Sequence, residues 1–553
     1  MNINISYLNK DIKTYTKGIK ISEIISNFDV NHKKNNPIVA VKFNNEIVSL
    51  SFTVKINGNI EPIFLNSKDG NNLYRKSLCF LLAKASKLLF PARRLVISHS
   101  LSSGFYYYYD SLDEIPEEDI IKLFGKIKEL VDKDLSIQIM SLSYSDSINY
   151  FKKNNLFNTA LLLKYNNRPK IHVYKCGDYL DLYHGPLVSH TGILNKFEIM
   201  NYPPGMLLRF PSKSIVKNIP PHKDNPILFQ IYQEYKKWGK ILNINCIGLL
   251  NDRIHNETLK EFIYISETLH NKKIANIADK ICENKNKIKL ILIAGPSSSG
   301  KTTFSKKLNI QLKVSGRNPV LLSLDNYFLP RDETPLDKYG KPNFETLEAI
   351  DIKLLNEHLV KLFNGEEIEI LFYDFITGKR KYKNKKLKLE DRSLLILEGI
   401  HALNDQLTPI IDNCYKYKVY VSALTQLNID DHNRIPTTDN RLLRRIVRDN
   451  KFRGHSVLKT LHMWPSVQQG ERKYIFPFQN TADIAFNSAL DYELAVLKVY
   501  ADPLLKVITP DMKEYSESHR ILLFLNNILP IPPSWVPSMS ILREFIGNSH
   551  FEY

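Results

Sequence analysis

Ile291-Leu292-Ile293-Ala294-Gly295-Pro296-Ser297-Ser298-Ser299-Gly300-Lys301-Thr302-Thr303 decides the fold of the C-terminal half. An apolar run leads straight into Gly-x-x-x-x-Gly-Lys-Thr, and residues 304–313 continue as a helix. A strand that is apolar throughout is buried on both faces, the habit of a parallel sheet. The glycines permit tight turns, so successive backbone N–H groups converge and can cradle phosphate oxygens. The helix that follows adds the positive end of its dipole. Lys301 is placed to neutralise β- and γ-phosphates, and the Thr302 hydroxyl to ligate Mg²⁺. A chance match in a Gly/Ser loop would lack the strand before it and the helix after it. Gly295, Pro296, Ser297, Ser298, Ser299, Gly300, Lys301, Thr302 and Thr303 are therefore the candidate ATP-binding residues.

Two further apolar runs end in acids. Pro319-Val320-Leu321-Leu322-Ser323-Leu324 stops at Asp325, and Leu394-Leu395-Ile396-Leu397 stops at Glu398-Gly399. A carboxylate at the C-terminal end of a strand beside a phosphate loop can take an alcohol's proton or hold a metal. Asp325 is the candidate base, and Glu398 is the Walker-B-like partner of Thr302 for Mg²⁺. Farther on, Arg441, Arg444, Arg445 and Arg448 fall at i, i+3, i+4 and i+7 and share one helix face. Such a row can clamp a transferring phosphoryl group. A surface salt bridge competes with this reading at Arg445. The clamp is expected from Arg441, Arg444 and Arg448.

The 553 residues predict about three or four domains. The composition excludes a mainly disordered or fibrous chain, with 43% hydrophobic and 24% charged residues. No apolar run is long enough to span a membrane, and the first residues are too polar for a secretory leader. Five scattered cysteines without a Cys-x-x-Cys fit a reducing cytoplasm better than a disulfide or zinc framework. The net charge of +18 is uneven. Residues 286–553 hold 37 basic and 31 acidic side chains, against 39 and 27 in residues 1–285. The densest basic run, Lys379 to Lys386, lies between strand-like segments and predicts a solvated hairpin.

In the front half, residues 37–43 and 47–50 read as strands about an Asn44-Asn45 turn. Residues 77–89 read as a helix. Proline pairs at 203–204 and 220–221 mark the end of a mixed α/β region. Two connector helices are expected, one carrying Phe262, Ile265 and Leu269, the other Ile274, Ile277 and Ile281.

The C-terminal residues, in this order, resemble the uridine kinase and phosphoribulokinase family of P-loop kinases. The match runs through the phosphate loop, Leu324-Asp325-Asn326-Tyr327-Phe328, Asn343-Phe344-Glu345, Tyr373-Asp374-Phe375, the arginine row and Ala482-Asp483-Ile484. The resemblance implies that Asp325 acts as base on a nucleoside 5′-hydroxyl and that Glu345 binds ribose hydroxyls. It places Tyr327, Tyr373 and Arg441 in the substrate site and makes ATP and Mg²⁺ the cofactors. Gly378 stands where uridine-cytidine kinases carry a base-reading His.

Residues 1–67 resemble a TGS module, and residues 68–212 the editing domain that follows it in threonyl-tRNA synthetases. The matching stretches are Leu81-Leu82-Ala83-Lys84-Ala85, Ser103-Gly104-Phe105-Tyr106-Tyr107, and Gly185-Pro186 with Thr191-Gly192. The editing domain's metal ligands fall here on Lys76, Phe80, Tyr183 and Leu187, so metal binding is expected to be lost.

The expected fold is multidomain. A TGS-like β-grasp module (1–67), an α+β editing-like domain (68–212) and a helical connector (213–285) precede an α/β P-loop kinase with a parallel sheet flanked by helices (286–553). The expected activity is ATP-dependent phosphorylation of uridine or cytidine in nucleotide salvage. Two alternatives stay open. One is another small alcohol as acceptor, and the other is an RNA-binding regulatory protein with a nucleotide-gated kinase. The partners expected are a small nucleoside and a weak tRNA or RNA contact by the N-terminal half, with no membrane. The sequence leaves the oligomeric state open.

Overall fold

Strand β1 (Leu290–Ala294) is buried at all five positions, because the sheet continues on both of its edges and helices cover both faces. It pairs in parallel with β3 (Ser393–Glu398) on one side and β4 (Lys416–Ser422) on the other. β2 (Asn318–Ser323) and β5 (Ile484–Asn487) close the edges, giving the all-parallel order β2-β3-β1-β4-β5. The chain is a multidomain α/β protein whose C-terminal part is a parallel sheet flanked by helices, as the apolar runs predicted. The structure, a computed structural model, describes all residues except 29–35, 103, 212–217, 257, 284–286, 338–339, 375–376, 391 and 553. Ser103, Phe375 and the expected boundaries at 212–213 and 285–286 lie outside the described residues.

Helix α1 (Lys301–Val314) starts directly after the loop. Helix α2 (Thr437–Phe452) carries the arginine row, α3 (Val457–Gly470) follows it, and α4 (Tyr515–Leu525) packs near the start of α2. The basic run forms the second strand of a two-stranded hairpin, Ile368–Asp374 with Lys379–Leu387, and exposes Lys379, Lys381, Lys385 and Lys386.

The front half holds a five-stranded mixed sheet from residues 2–64 with helix Ile21–Ser26 against it. Asn44 and Asn45 make its predicted hairpin turn with φ of 49° and 62°, which asparagine tolerates well. Helix Lys68–Leu89 is longer than its apolar face suggested, because Ser67 caps it early by accepting from the Gly70 N–H at 3.0 Å. A four-stranded and a three-stranded sheet follow, within residues 95–209.

The connector departs from expectation. Helix Leu259–Glu283 is continuous where two helices were predicted, since His270-Asn271-Lys272-Lys273 is polar but contains no Gly or Pro to stop it. Phe262, Ile274, Ile277 and Ile281 are buried as expected, but Ile265 is exposed and Leu269 only half-buried, while Ile263, Ser266 and His270 point inward.

The front half grips the segment that leads into α2. Ile97 N–H donates to the Asp431 carbonyl (3.0 Å), and Asn428 Nδ2 donates to the Ile97 carbonyl (2.6 Å). Arg94 pairs with Asp431 at 2.7 Å, Asn433 Nδ2 donates to the Leu182 carbonyl, and His432 Nδ1 lies 2.7 Å from Asp181 Oδ2. Burial pulls the His432 imidazole down, but the carboxylates of Asp181, Asp431 and Asp430 more than reverse this and leave it at about 9. A histidine raised from 6.5 to about 9 contributes stability that is fully present below pH 6.5 and lost as pH rises through 9. The melting temperature should therefore fall between pH 6.5 and 9 in the wild type, with a shallower slope in His432→Gln. Identical slopes would show that this pair does not hold the joint.

Candidate active site

The phosphate loop is shaped by close approaches. A Cβ on Gly295 would lie 2.0 Å from the Val421 carbonyl oxygen of β4. Gly300 adopts φ +81° and packs beneath Ile541. A loop whose N–H groups converge turns carbonyls the other way, and buried carbonyls need donors. Arg441 donates to Ser297 O at 3.1 Å and Arg444 to Ser298 O at 3.4 Å. Both guanidiniums are almost wholly buried. Glu471 holds Arg441 through both carboxylate oxygens (Nη2–Oε2 2.7 Å), and Glu493 holds Arg444 at 2.5 Å. Glu471 also accepts from the Ser297 N–H at 3.2 Å.

The row therefore does not divide as its spacing suggested. Arg441 and Arg444 are engaged with the underside of the loop. Arg445 pairs with Asp449 at 3.2 Å, the salt bridge expected of it, and also donates to Ser297 Oγ at 2.9 Å, and its charge acts on Glu345. Arg448 pairs with Asp449 at 2.7 Å, and its charge acts on Lys301 and Asp325.

The acids come together at the strand ends. Ser323 ties two of them. Its Oγ donates to Glu398 Oε1 (3.0 Å) and accepts from the Asp325 N–H (3.3 Å). Thr302 Oγ1 lies 3.5 Å from the same Glu398 oxygen, and Lys301 Nζ donates to Pro296 O at 3.3 Å. Burial raises the Asp325 carboxyl, and Lys301, Arg453 and Arg448 pull it back in part. Burial and the Asp325 charge push Glu398 to about 7. Burial and Glu471 push Glu345 to about 7, and its interactions with Lys301 and Asp325 place it in the same cleft. Carboxyls raised by burial and mutual repulsion are what a divalent cation relieves, and a Thr hydroxyl beside a strand-end acid is a donor set Mg²⁺ takes together with substrate phosphates.

Two expected substrate contacts are elsewhere. Tyr327 is turned into the core, 1% exposed, with its hydroxyl 3.0 Å from His358 Nδ1, because the 3-10 turn Leu324–Tyr327 puts residues three apart, Leu324 and Tyr327, on its buried side. Tyr373 is also buried and packs edge-on against Phe328 at 5.8 Å. Sequence reasoning missed Glu471, Glu493, Ser323 and Glu544. Glu544, on the short helix Arg543–Ile546, accepts from Thr303 N–H (3.1 Å) and Oγ1 (2.6 Å), donors a phosphate would otherwise claim. No spacing signal marks these partners, since they come from distant segments.

At the positions of the editing domain's metal ligands, Phe80, Tyr183 and Leu187 are core residues, and Lys76 Nζ donates to His184 O at 2.7 Å. Among the described residues no group of three or more His, Cys, Asp or Glu could hold a metal ion, and no helix is long and apolar enough to cross a membrane.

The division of the arginines has separable consequences. Arg441→Ala leaves Glu471 buried without its partner and should cost about 3–5 kcal/mol of stability. Arg445→Ala, which leaves Asp449 still paired with Arg448, should lose less stability than Arg441→Ala and about 10²-fold in turnover. Thermal unfolding and steady-state kinetics on both variants check this. Equal destabilisation, or full activity of Arg445→Ala, would contradict the division.

Residues 290–495 match the phosphoribulokinase / uridine kinase family. The N-terminal half is similar to threonine–tRNA ligases. That of Carboxydothermus hydrogenoformans is 26% identical over 36% of this chain and 31% of its own length. That of Chloroherpeton thalassium is 30% identical over 35% and 29%. The chain thus spans under a third of the length of these relatives. A solved structure described as a possible uridine kinase from Bacillus stearothermophilus covers 39% of this chain and 98% of its own, at 19% identity and a TM-score of 0.27. The D-glycerate 3-kinase of Cryptococcus neoformans var. grubii covers 49% and 87%, at 15% identity and a TM-score of 0.21. A front half similar to part of threonine–tRNA ligase thus precedes a segment, residues 290–495, that matches the phosphoribulokinase / uridine kinase family.

Proposed function

We propose that the chain is an ATP- and Mg²⁺-dependent kinase that phosphorylates the 5′-hydroxyl of a pyrimidine nucleoside, uridine or cytidine. The observation that carries this reading is the placement of Asp325 within the charge field of Lys301 and Arg448, and joined through Ser323 to Glu398. A base, a phosphate anchor and a metal-holding acid then share one cleft.

Bound with Mg²⁺, ATP supplies the phosphoryl group and the metal neutralises its charge. The loop amides and Lys301 hold the phosphates. Thr302 and Glu398 hold the metal directly or through water. Asp325 accepts the hydroxyl proton as the acceptor oxygen attacks. Its raised pKa suits it to that step, because a base whose pKa lies nearer neutrality binds the proton more firmly. Glu345 takes the ribose hydroxyls. Arg445 and Arg448 face the phosphoryl group in transit, while Arg441 and Arg444 keep the loop in place. Acceptance of another small alcohol is the second reading, favoured by Gly378. Its φ is +71°, and a Cβ there would lie 2.8 Å from the Arg331 side chain, so Arg331 fills space that a larger residue would need.

ADP release across a nucleoside panel tests the reading. Turnover with uridine or cytidine is expected, and Asp325→Asn should lose about 10²–10⁴-fold in turnover while still binding ATP. Activity on purine nucleosides alone would overturn the pyrimidine assignment. Near-normal turnover of Asp325→Asn would remove Asp325 from the base role.

A further inference from the structure

A cavity of about 830 Å³ lies between the N-terminal sheet, helix Lys68–Leu89 and α4. Its size falls in the range of small-molecule sites, and its lining is unbalanced in charge. Seven Lys and Arg side chains face three carboxylates, with two histidines. Those carboxylates already have partners. Asp69 lies 3.9 Å from Lys42, Glu517 pairs with Arg520 at 3.0 Å, and Glu46 lies 3.8 Å from His519. Among the described residues Lys20, Lys55, Lys68, Lys76 and Lys513 have no carboxylate within ion-pair distance. Lys76 shows the consequence: burial and then the Arg520 charge lower its ammonium to about 8. Asp439 and Glu517 offset this only in part, and cations in such excess in a cleft are relieved by a bound anion.

The cavity wall is also wired to the kinase. Arg520 grips both carboxylate oxygens of Asp439 at 2.7 and 2.9 Å. Asp439 sits in the first turn of α2, two residues before Arg441, which holds the phosphate loop from below.

We propose that this cavity binds a small phosphate-bearing anion, and that its occupancy changes the affinity of the phosphate loop for ATP. An anion at Lys76 shares Arg520 with Asp439 and so loosens the fork that fixes the start of α2. By linkage, ATP in the loop changes the affinity of the cavity for the anion by the same factor. The lysines supply point charges suited to phosphate from several directions.

The test uses full-length protein and inorganic pyrophosphate, followed by calorimetry with the phosphate loop filled by a non-hydrolysable ATP analogue and Mg²⁺. A further pyrophosphate site is expected. It should weaken about tenfold in Lys76→Gln, which removes one charge-assisted contact. The exposed double variant Lys55→Gln, Lys68→Gln should weaken it as well, which guards against misfolding at the half-buried Lys76. Pyrophosphate should shift the affinity for the ATP analogue differently in wild type and in Lys76→Gln, since any direct competition at the loop is common to both. No second site, a site indifferent to both variants, or a site that takes a tRNA acceptor stem but not pyrophosphate would overturn the proposal. Equal shifts in the two proteins would overturn the coupling.

Discussion

Two buried guanidiniums set the terms for the rest of the C-terminal half. Converging amides make the loop a phosphate cradle, and carbonyls turned away from it cannot be left without donors in a buried site. Arg441 and Arg444 meet that need at Ser297 and Ser298. They must then be neutralised, because an isolated buried charge costs far more than the bonds it makes. Glu471, at the end of α3, and Glu493, after β5, do so. The order of the C-terminal elements follows from this: α2, α3 and the segment after β5 must all reach the loop. Such pairs are weak evidence for net stability, but removing one partner is strongly destabilising. They fix geometry more than they add energy.

The same helix has a second tether. The segment before α2 is bonded to the front half through Asp431, His432 and Asn433, and Asp439 is held by Arg520 of α4. A helix clasped at its start by the front half and along its length by the phosphate loop is a mechanical link between the two. At the positions where the editing domain's metal ligands fall, the front half holds Lys76 and core side chains.

Much of this was legible in the sequence, and the reasons are local. The phosphate loop, the apolar strands and the acids at their ends are short-range patterns, and each is dictated by backbone geometry and burial. Asn44-Asn45 announced its hairpin because asparagine tolerates positive φ. The arginine row was visible as a helix face, but periodicity cannot say which neighbour a face meets. Arg441 and Arg444 went inward because Glu471 and Glu493 lie there, 30 and 49 residues away. Tyr327 turned into the core because His358 offered its hydroxyl a partner. Glu544, 241 residues from Thr303, had no sequence signature. The connector's apolar pattern is broken by a polar stretch, His270 to Lys273, yet nothing there stops the backbone from continuing as one helix.

A continuous chain of contacts runs from Ile97 and Arg94 through Asp431 into α2 and on to the phosphate loop through Arg441 and Arg444. Hydrogen exchange on full-length wild type and Asp431→Asn measures whether that chain couples the two halves. Exchange in the variant should be faster at residues 295–301 and in α2, as well as at residues 94–101 and 428–433. Faster exchange confined to residues 94–101 and 428–433, with the loop and α2 unchanged, would contradict that coupling.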